Sequence, residues 1–351
     1  MHVINTIIQF IIRVDSQKKI IFFIENLSHF RFVEPLFNYF LNNKFHLTLL
    51  CFENPIDVNN LQHVNLKIIE IKDDIQKIKS LKNLEGDLFF TTTPSIGSSI
   101  FPKSKIYPKK NRPKYIYLFH SLVSPNEMYV KNSFKNFDII FSPSDIISKQ
   151  LRFLVSRHTT IFTTGYLIFN NVEKFTFKEN NKKILLAPTW GKQGLSEIIE
   201  KINLIYDFVS KTGNKMIFRP HPMTKLKDYK IDSKIDLDLG LDLNNLHEYD
   251  HLITDFSGIA LEFAYLTKRS ILFLDVNKKI KRKISKVEKN EILIEDEMRT
   301  SIGSIVNIDE LAITKQFPKI NENKYENFTK KINSYEQSLK KTIEFLEKID
   351  L

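Results

Sequence analysis

Short apolar runs alternate with helical patterns along this chain, and this alternation constrains the fold more than any other feature. Short apolar runs bounded by turn residues predict buried strands, and the segments between them follow helical spacing. Strands joined by helices in this way form a parallel, doubly wound sheet. In the first half the predicted strands are 19–24, 47–53, 66–71, 88–92, 115–119, 138–141 and 160–163. The predicted helices are 30–41, a charged helix that follows the strand 66–71 and ends near residue 84, and 145–155.

The same pattern restarts in the second half after a polar interval over residues 170–182, which predicts a linker. Strands follow at 184–186, 215–218, 252–254 and 270–274, with helices over 195–210 and 325–349. A chain of 351 residues can bury two separate cores. We therefore predict an N-terminal domain over 1–172, a second α/β domain over 173–310 and C-terminal helices over 311–351.

The charge balance indicates anionic partners. The formal net charge is +11, from 52 Lys and Arg against 41 Asp and Glu. This excess favours nucleotide diphosphates, phosphate-rich polymers or an acidic lipid surface. No nucleic-acid-binding motif accompanies the charge, so we expect no nucleic acid partner. The single cysteine, Cys51, lies in an apolar run and excludes an intrachain disulfide, which fits a reducing, cytoplasmic location.

The N-terminus predicts no membrane span and no signal peptide. Residues 3–12 are apolar, but they lack a basic region and a cleavage site and are too short to cross a bilayer. They read as a short amphipathic helix that either packs on the first domain, which we favour, or inserts shallowly into an anionic membrane surface. A peripheral position at the inner face of the cytoplasmic membrane is the corresponding expectation.

The segment from His251 to Leu266 carries the first functional signal. A short apolar strand delivers Asp255, Ser257 and Gly258 to the start of an apolar helix. A helix start presents unpaired N–H groups and a positive dipole, Ser257 can cap it, and Gly258 lets an anion approach closely. The segment is therefore either a phosphate site or an ordinary capped turn.

The second signal is Arg219-Pro-His221-Pro222, which follows the predicted strand 215–218. In a parallel sheet it reaches the same carboxyl edge as Ser257. Two prolines around a histidine either form a rigid turn or fix a functional imidazole, and the shared edge favours function.

Three blocks together resemble the CDP-glycerol glycerophosphotransferase family, whose members build teichoic acids and capsule polymers. The blocks are Leu186-Ala-Pro-Thr-Trp190, Arg219-Pro-His-Pro222 and Thr254-Asp-Phe-Ser257, in family order. The resemblance implies two Rossmann-like doubly wound domains facing a central cleft, the glycosyltransferase-B architecture, with C-terminal helices crossing back. The family's His-Gly pair corresponds to His120-Ser121, and its second serine after the Asp-aromatic pair corresponds to Gly258.

The same resemblance suggests roles for individual residues. His120, at the end of a predicted strand, is the candidate general base, and His221 either holds the donor diphosphate or protonates the leaving group. The candidate donor-binding residues are Thr189, Gly191, Arg219, Asp255, Ser257, Gly258, Glu262 and Arg299. A carboxylate beside a diphosphate is repelled unless it bonds a hydroxyl or orients a histidine, and we assign Asp255 the orienting role. Glu262 either reaches the donor ribose or is an exposed helix residue. Arg299, with Gly303, could add a phosphate contact, but we favour an ordinary surface arginine. Ser121 and His29 are the candidates on the acceptor side.

His247-Glu-Tyr-Asp-His251 has the spacing of a zinc-peptidase motif, but we discount it. The motif requires both histidines on one face of a continuous helix, and His251 opens a predicted strand. Asp236-Leu-Asp238 in the donor region lies in an alternating stretch and is interpreted as a strand edge, not as an Asp-x-Asp pair suited to a divalent ion. We therefore predict no metal site and catalysis without a cofactor, with basic side chains and a helix dipole holding the diphosphate.

The sequence leaves three functions open. The first is transfer of glycerol- or ribitol-phosphate from a CDP-linked donor to a hydroxyl of a lipid-linked or polymeric cell-surface glycan, with release of CMP. The second is transfer of a sugar from a CMP- or UDP-linked donor in capsule or lipopolysaccharide synthesis. The third, which we favour least, is non-catalytic binding of anions or nucleic acid.

Overall fold

The computed structural model describes residues 18–55, 65–172, 181–190, 194–240, 243–277, 293–313, 317, 321–332 and 337–349. Two parallel sheets organise this part of the chain. The segment 3–12, most of the predicted linker and Gly191 lie outside the described residues.

The N-terminal sheet has seven parallel strands in the order β3-β2-β1-β4-β5-β6-β7. Every pairing in it is parallel, because a helix or a long loop returns the chain to the same edge after each strand. The strands are β1 (Lys19–Ile24), β2 (His46–Cys51), β3 (Leu66–Glu70), β4 (Leu88–Thr91), β5 (Lys114–Leu118), β6 (Ile139–Ser142) and β7 (Thr160–Thr163). The helices are α1 (Phe30–Asn42), α2 (Asp74–Lys82), α3 (Pro125–Met128) and α4 (Asp145–Leu151).

The second sheet has six parallel strands in the order β10-β9-β8-β11-β12-β13. Its strands are β8 (Lys183–Leu186), β9 (Lys215–Phe218), β10 (Asp236–Leu237), β11 (His251–Thr254), β12 (Ile271–Leu274) and β13 (Gly303–Val306). Its helices are α5 (Gly194–Glu200), α6 (Ile202–Lys211), α7 (Ile259–Thr267) and α8 (Ile294–Ser301). In both sheets the order reverses beside the first strand, which is the arrangement of dinucleotide-binding folds.

The last two helices are α9 (Glu322–Ile332) and α10 (Ser338–Lys348). Leu346 of α10 is buried in the apolar cluster that packs one face of the N-terminal sheet, together with Phe22 and Phe40. Ser338 accepts a hydrogen bond from Asn170 of the first domain. The predicted fold class, two doubly wound α/β domains with C-terminal helices crossing back, is confirmed.

Several predicted boundaries were wrong. The helix predicted over 195–210 is two helices, because Lys201 leaves the helical conformation at φ −102° and ψ 13°. The charged helix predicted over 325–349 is also two, and Gln337 before α10 adopts a left-handed conformation. Helix α8 and strand β13 were not predicted, because each is short and has only two large apolar residues. Among the described helices, none is long and apolar enough to cross a bilayer.

Candidate active site

The two points where strand order reverses face each other and form a cleft. On the N-terminal side, the loops after β1, β4 and β5 leave the carboxyl edge of the sheet, and on the other side the loops after β8, β9 and β11 do so. Ligands of open α/β sheets bind at this position. The cleft has a volume of about 520 Å³, which suits a nucleotide-sized ligand.

The cleft brings together most of the predicted site residues from both domains. The N-terminal domain contributes His29, His120 and Ser121, and the second domain contributes Thr189, Arg219, His221, Ser257, Gly258 and Glu262. Of the predicted site residues that the structure describes, Asp255 and Arg299 are absent from its lining, because both side chains are buried beneath it.

His120 follows β5 and is held by a tyrosine. Its Nδ1 lies 3.1 Å from the Tyr117 hydroxyl, and that hydroxyl is also bonded to Tyr129. Burial, followed by the neighbouring Tyr129, raises the pKa of Tyr117 well above its ordinary value, so its hydroxyl keeps its proton. In a neutral His120 ring, a bond from Nδ1–H to the Tyr117 oxygen leaves the lone pair on Nε2. Burial, followed by the positive surroundings, lowers the pKa of His120 well below its ordinary value, so the ring is neutral at pH 7.

Arg31, near the start of α1, is a cleft residue that the sequence analysis missed. Its charge contributes to the lowered pKa of His29 and His120 and favours the ionised form of Glu262. The His29 and His120 rings are 4.8 Å apart between centroids. Burial, and secondarily Arg31, lowers the pKa of His29 to about 4. Arg31 is two residues after His29, in the segment that follows β1. Because β1 borders the point where the strand order reverses, this segment could have been predicted to line the cleft.

A backbone hydrogen bond fixes the tautomer of a neutral His221. The backbone N–H of Met223 donates to its Nδ1 at 3.1 Å, so the neutral ring carries its proton on Nε2. The ring faces Trp190 at 6.1 Å between centroids, and its proximity is one of the causes that lower the pKa of His120. His221 can therefore donate a hydrogen bond, whereas His120 can accept a proton.

Arg219 lines the cleft, but a carboxylate already holds its guanidinium. Its Nε and Nη2 donate to Oδ2 of Asp238 at 3.0 and 2.5 Å, and the Tyr249 hydroxyl donates to the same oxygen at 2.6 Å. Burial acts to raise the pKa of Asp238, but these bonds outweigh it, and the pKa is lowered. The sequence interpretation of residues 236–238 as a strand edge was correct for β10 but missed this pairing.

The start of α7 differs from the predicted cap. Gly258 occupies the N-cap position without a side-chain cap bond, so the prediction that Ser257 caps the helix was wrong. A Cβ placed on Gly258 would lie 3.5 Å from Val123 and 3.7 Å from the Leu122 nitrogen, an ordinary packing distance. The helix start therefore faces the loop that follows His120.

Asp255 supports the cleft from below. Its carboxylate accepts from the Thr189 backbone N–H at 2.9 Å and from the Thr189 hydroxyl at 2.5 Å. Burial raises its pKa, and these two bonds oppose the increase. Asp255 therefore orients the loop after β8 rather than a histidine.

Glu262 is buried and faces the cleft from α7, so the alternative of an exposed helix residue was wrong. Its Oε1 accepts from the Tyr166 hydroxyl of the first domain at 2.9 Å. A second link between the domains joins Glu295 Oε1 to the Ser124 backbone N–H at 2.7 Å. Tyr166, Ser124 and Glu295 were not predicted, because no motif marks residues that meet only after folding.

Arg299 and Gly303 do not contact the cleft, although both were considered for a phosphate contact. Arg299 donates to the Leu274 carbonyl at 2.8 Å and lies 4.1 Å over the Phe256 ring, with 6% of its surface exposed. Gly303 begins β13, where a Cβ would meet the Ile271 carbonyl oxygen at 2.2 Å. The glycine is therefore required by strand packing.

The two histidines of the zinc-like spacing lie in different elements. His251 opens β11, and its ring stacks on Phe317 at 4.3 Å with Nδ1 2.6 Å from the Ser270 hydroxyl. His247 belongs to a short 3-10 helix and bonds to the Asn244 carbonyl. Within the described ranges, no group of His, Cys, Asp and Glu has the geometry of a metal site.

The fold is shared with solved structures of distant sequence. The wall teichoic acid polymerase TagF, as a histidine-to-asparagine variant soaked with CDPG, aligns with 99% of this chain and 95% of its own at 15% identity and a TM-score of 0.56. The structure of Arabidopsis thaliana UGT89C1 with quercetin aligns with 95% of this chain and 100% of its own at 12% identity and a TM-score of 0.57. A putative UDP-N-acetylglucosamine 2-epimerase from Listeria monocytogenes aligns with 92% of this chain and 93% of its own at 12% identity and a TM-score of 0.56.

Two Rossmann-like domains around a cleft of this kind define the glycosyltransferase-B class. Residues 168–340, just under half of the chain, match the family model of CDP-glycerol:poly(glycerophosphate) glycerophosphotransferases, which supports the family that the three blocks predicted. It is accordingly a glycerophosphotransferase-like enzyme, as the resemblance predicted. No curated protein matches the whole sequence significantly.

Proposed function

We propose that this enzyme transfers glycerol- or ribitol-phosphate from a CDP-linked donor to a hydroxyl of a lipid-linked or polymeric cell-surface glycan and releases CMP. The observation that carries the proposal is the meeting of His120 from one domain with His221, Ser257 and Glu262 from the other in a single cleft. The assigned domains are the acceptor side over 1–172, the donor side over 173–310 and the bracing helices over 311–351.

The second domain supplies a place for the donor. The start of α7 directs N–H groups and the positive end of its dipole toward Ser257 and Gly258, where a phosphate would bind. Thr189, fixed by Asp255, borders the same space. Glu262, with a buried carboxylate in the cleft wall, suits a hydroxyl of the donor ribose.

In the proposed mechanism His120 accepts a proton and His221 donates a hydrogen bond. The acceptor oxygen attacks the phosphorus that bears the polyol, its proton passes to Nε2 of His120, and the bond from this phosphorus to the bridging oxygen of CMP breaks. Nε2–H of His221 donates to the phosphate oxygens that gain charge. The lowered pKa of His120 keeps the base unprotonated before attack.

The competing function is sugar transfer from a CMP- or UDP-linked donor, since UGT89C1 shares the fold. The two reactions differ in the bond that breaks, phosphorus–oxygen or anomeric carbon–oxygen. The donor consumed and the nucleotide product together decide between them, because polyol-phosphate transfer releases CMP from a CDP-polyol, whereas a UDP-sugar yields UDP and a CMP-sugar yields CMP. A non-catalytic anion-binding protein would release neither.

The test is turnover of CDP-glycerol, CDP-ribitol, CMP-sugars and UDP-sugars with product identification. We expect CMP from a CDP-polyol, and His120→Asn and His221→Asn should each reduce the rate by about a hundredfold or more. His158→Asn is the matched control, because this exposed histidine of the first domain lies outside the cleft. Turnover of a CMP-sugar or a UDP-sugar in place of a CDP-polyol, or near-normal rates from both cleft variants, would refute the proposal.

The cell location follows from the acceptor. A lipid-linked acceptor would hold the enzyme at the inner face of the cytoplasmic membrane, where the excess of 52 Lys and Arg over 41 Asp and Glu favours an anionic surface. Binding to vesicles with and without anionic lipid, at low and high salt, tests this part of the proposal.

A further inference from the structure

A second groove adjoins the cleft, and its described lining includes none of the candidate donor-binding residues. It has a volume of about 640 Å³ and shares Ser28, Arg31 and Leu243 with the cleft. Leu243 comes from the second domain and the other two from the first, so the groove also lies between domains. A ligand in the groove could therefore extend past Arg31 toward His120.

The groove is lined by amides on an apolar floor. Asn38, Asn171 and Asn244 supply donors and acceptors, and Phe30 and Ile168 supply apolar surface. Amide groups beside apolar and aromatic surface suit a sugar, because its hydroxyl groups can bond to the amides and the C–H groups of its ring can pack on the apolar surface.

One face of α1 organises the groove. Arg31, Glu34 and Asn38 stand three and four residues apart, so they lie on the same side of the helix. Glu34 accepts from the Asn171 amide at 3.0 Å, which connects α1 to the chain leaving the first domain. These polar groups are therefore already positioned for a ligand.

The charge of the groove argues against a polyanionic ligand. Among the described residues that line it, Arg31 is the one cation and Glu34 is the one carboxylate. A polymer of phosphodiesters would need several cations along its path, because each unpaired phosphate near Glu34 is repelled. A neutral glycan meets no such repulsion.

We infer that this groove is the acceptor subsite and that it binds a neutral glycan rather than a polyol-phosphate polymer. The inference rests on the proposed function, and it specifies the acceptor class of that reaction. The glycan lies along α1, and its terminal hydroxyl passes Arg31 to reach His120.

The experiment blocks the groove by a substitution that leaves every residue of the cleft lining unchanged. Asn38 is exposed and lies outside the cleft lining, so Asn38→Trp fills the groove with little risk to folding, whereas Asn38→Ala leaves it open. Lys149→Trp places the same bulk on an exposed position of α4 and serves as the control. Probes are a panel of neutral octyl disaccharides and an oligo(glycerol phosphate), each with CDP-glycerol.

We expect transfer to a neutral disaccharide, with KM for it raised about tenfold or more in Asn38→Trp and KM for CDP-glycerol unchanged. Asn38→Ala should have a smaller effect, and Lys149→Trp should match the unmodified enzyme. Preference for oligo(glycerol phosphate), or equal disaccharide KM in the two Trp variants, would overturn the inference.

Direct binding separates this inference from the proposed function. Saturation-transfer NMR of the disaccharides requires no donor and no turnover. A disaccharide signal that Asn38→Trp removes and Lys149→Trp preserves supports the groove even if no CDP-polyol is consumed. Absence of any signal across the panel overturns the acceptor assignment, whereas CMP release from CDP-glycerol would still uphold the proposed function.

Discussion

The Tyr166 hydroxyl donates a 2.9 Å hydrogen bond to Glu262, and this bond joins the two domains at the cleft. The Tyr166 hydroxyl also lies 3.2 Å from the carbonyl oxygen of His120. One tyrosine thus contacts the backbone of the candidate base and a side chain of the donor wall. The relative position of the two domains and the geometry of the site are therefore coupled.

Tyr166→Phe should weaken this coupling. Loss of the donor leaves the buried Glu262 carboxyl with one fewer bond, and a double-mutant cycle with Glu262→Ala, which removes the acceptor, should give a coupling of about 1–3 kcal/mol in urea unfolding. The exposed Tyr107→Phe is the control and should have no effect. Additive effects of the two cleft variants would show that the bond contributes nothing to stability.

The Arg219–Asp238 pair gives a second prediction. The two side chains are 8% and 15% exposed, so Asp238→Asn leaves a buried guanidinium without its charge partner. The expected loss is about 3 kcal/mol in the free energy of unfolding. Asp236→Asn is the matched control two residues earlier, because its ion pair with Lys215 is solvent-exposed and should cost less than about 1 kcal/mol. Equal losses would mean that Arg219 is held by other contacts.

The sequence predicted the strands well because each buried strand is a short apolar run. Strands β1, β7 and β9 begin and end where predicted, and His120 was expected at the end of its strand. What the sequence could not provide was the partner of each polar residue. Asp238 pairs with Arg219 across 19 positions, and Tyr166 reaches Glu262 across 96. Such pairs depend on how the strands are ordered and how the domains meet.

Arg31 and Arg299 illustrate the same limit for charges. Arg299 was a candidate for a donor phosphate contact, yet it is buried with its guanidinium 4.1 Å from the centre of the Phe256 ring. Arg31, which no motif marks, lines the cleft. Local sequence identifies a cation, but only packing determines which surface it faces.

Two glycines should respond very differently to alanine. Gly303→Ala places a Cβ 2.2 Å from a carbonyl oxygen of β12, so we expect a loss of about 3 kcal/mol or more, measured by urea unfolding. Gly213→Ala meets no atom within 4 Å but must adopt φ +76°, which should cost about 1 kcal/mol. A loss at Gly303 no larger than that at Gly213 would show that β13 can shift away from β12.

His29 should make the fold sensitive to acid. Its pKa is lowered to about 4 by burial and by Arg31, whereas an unfolded histidine titrates near 6.5. As pH falls below about 6.5, the unfolded chain takes up a proton that the folded chain excludes, so stability decreases until about pH 4. The loss attributable to this residue is about 3 kcal/mol. His29→Gln should therefore flatten the pH dependence of urea unfolding in this window, and the exposed His158→Gln should leave it unchanged.

Arg31 should set the acid limb of the activity. Burial first, then the His29 and Arg31 charges, lowers the pKa of His120, so the base stays neutral and kcat/KM should remain high at pH values below the ordinary histidine range. Arg31→Met removes one of these causes, and the acid limb should move to higher pH, whereas Arg31→Lys keeps the charge and should restore its position. The measurement is the pH profile of CMP release from CDP-glycerol. An acid limb that does not move in Arg31→Met would mean that the guanidinium does not act on the base.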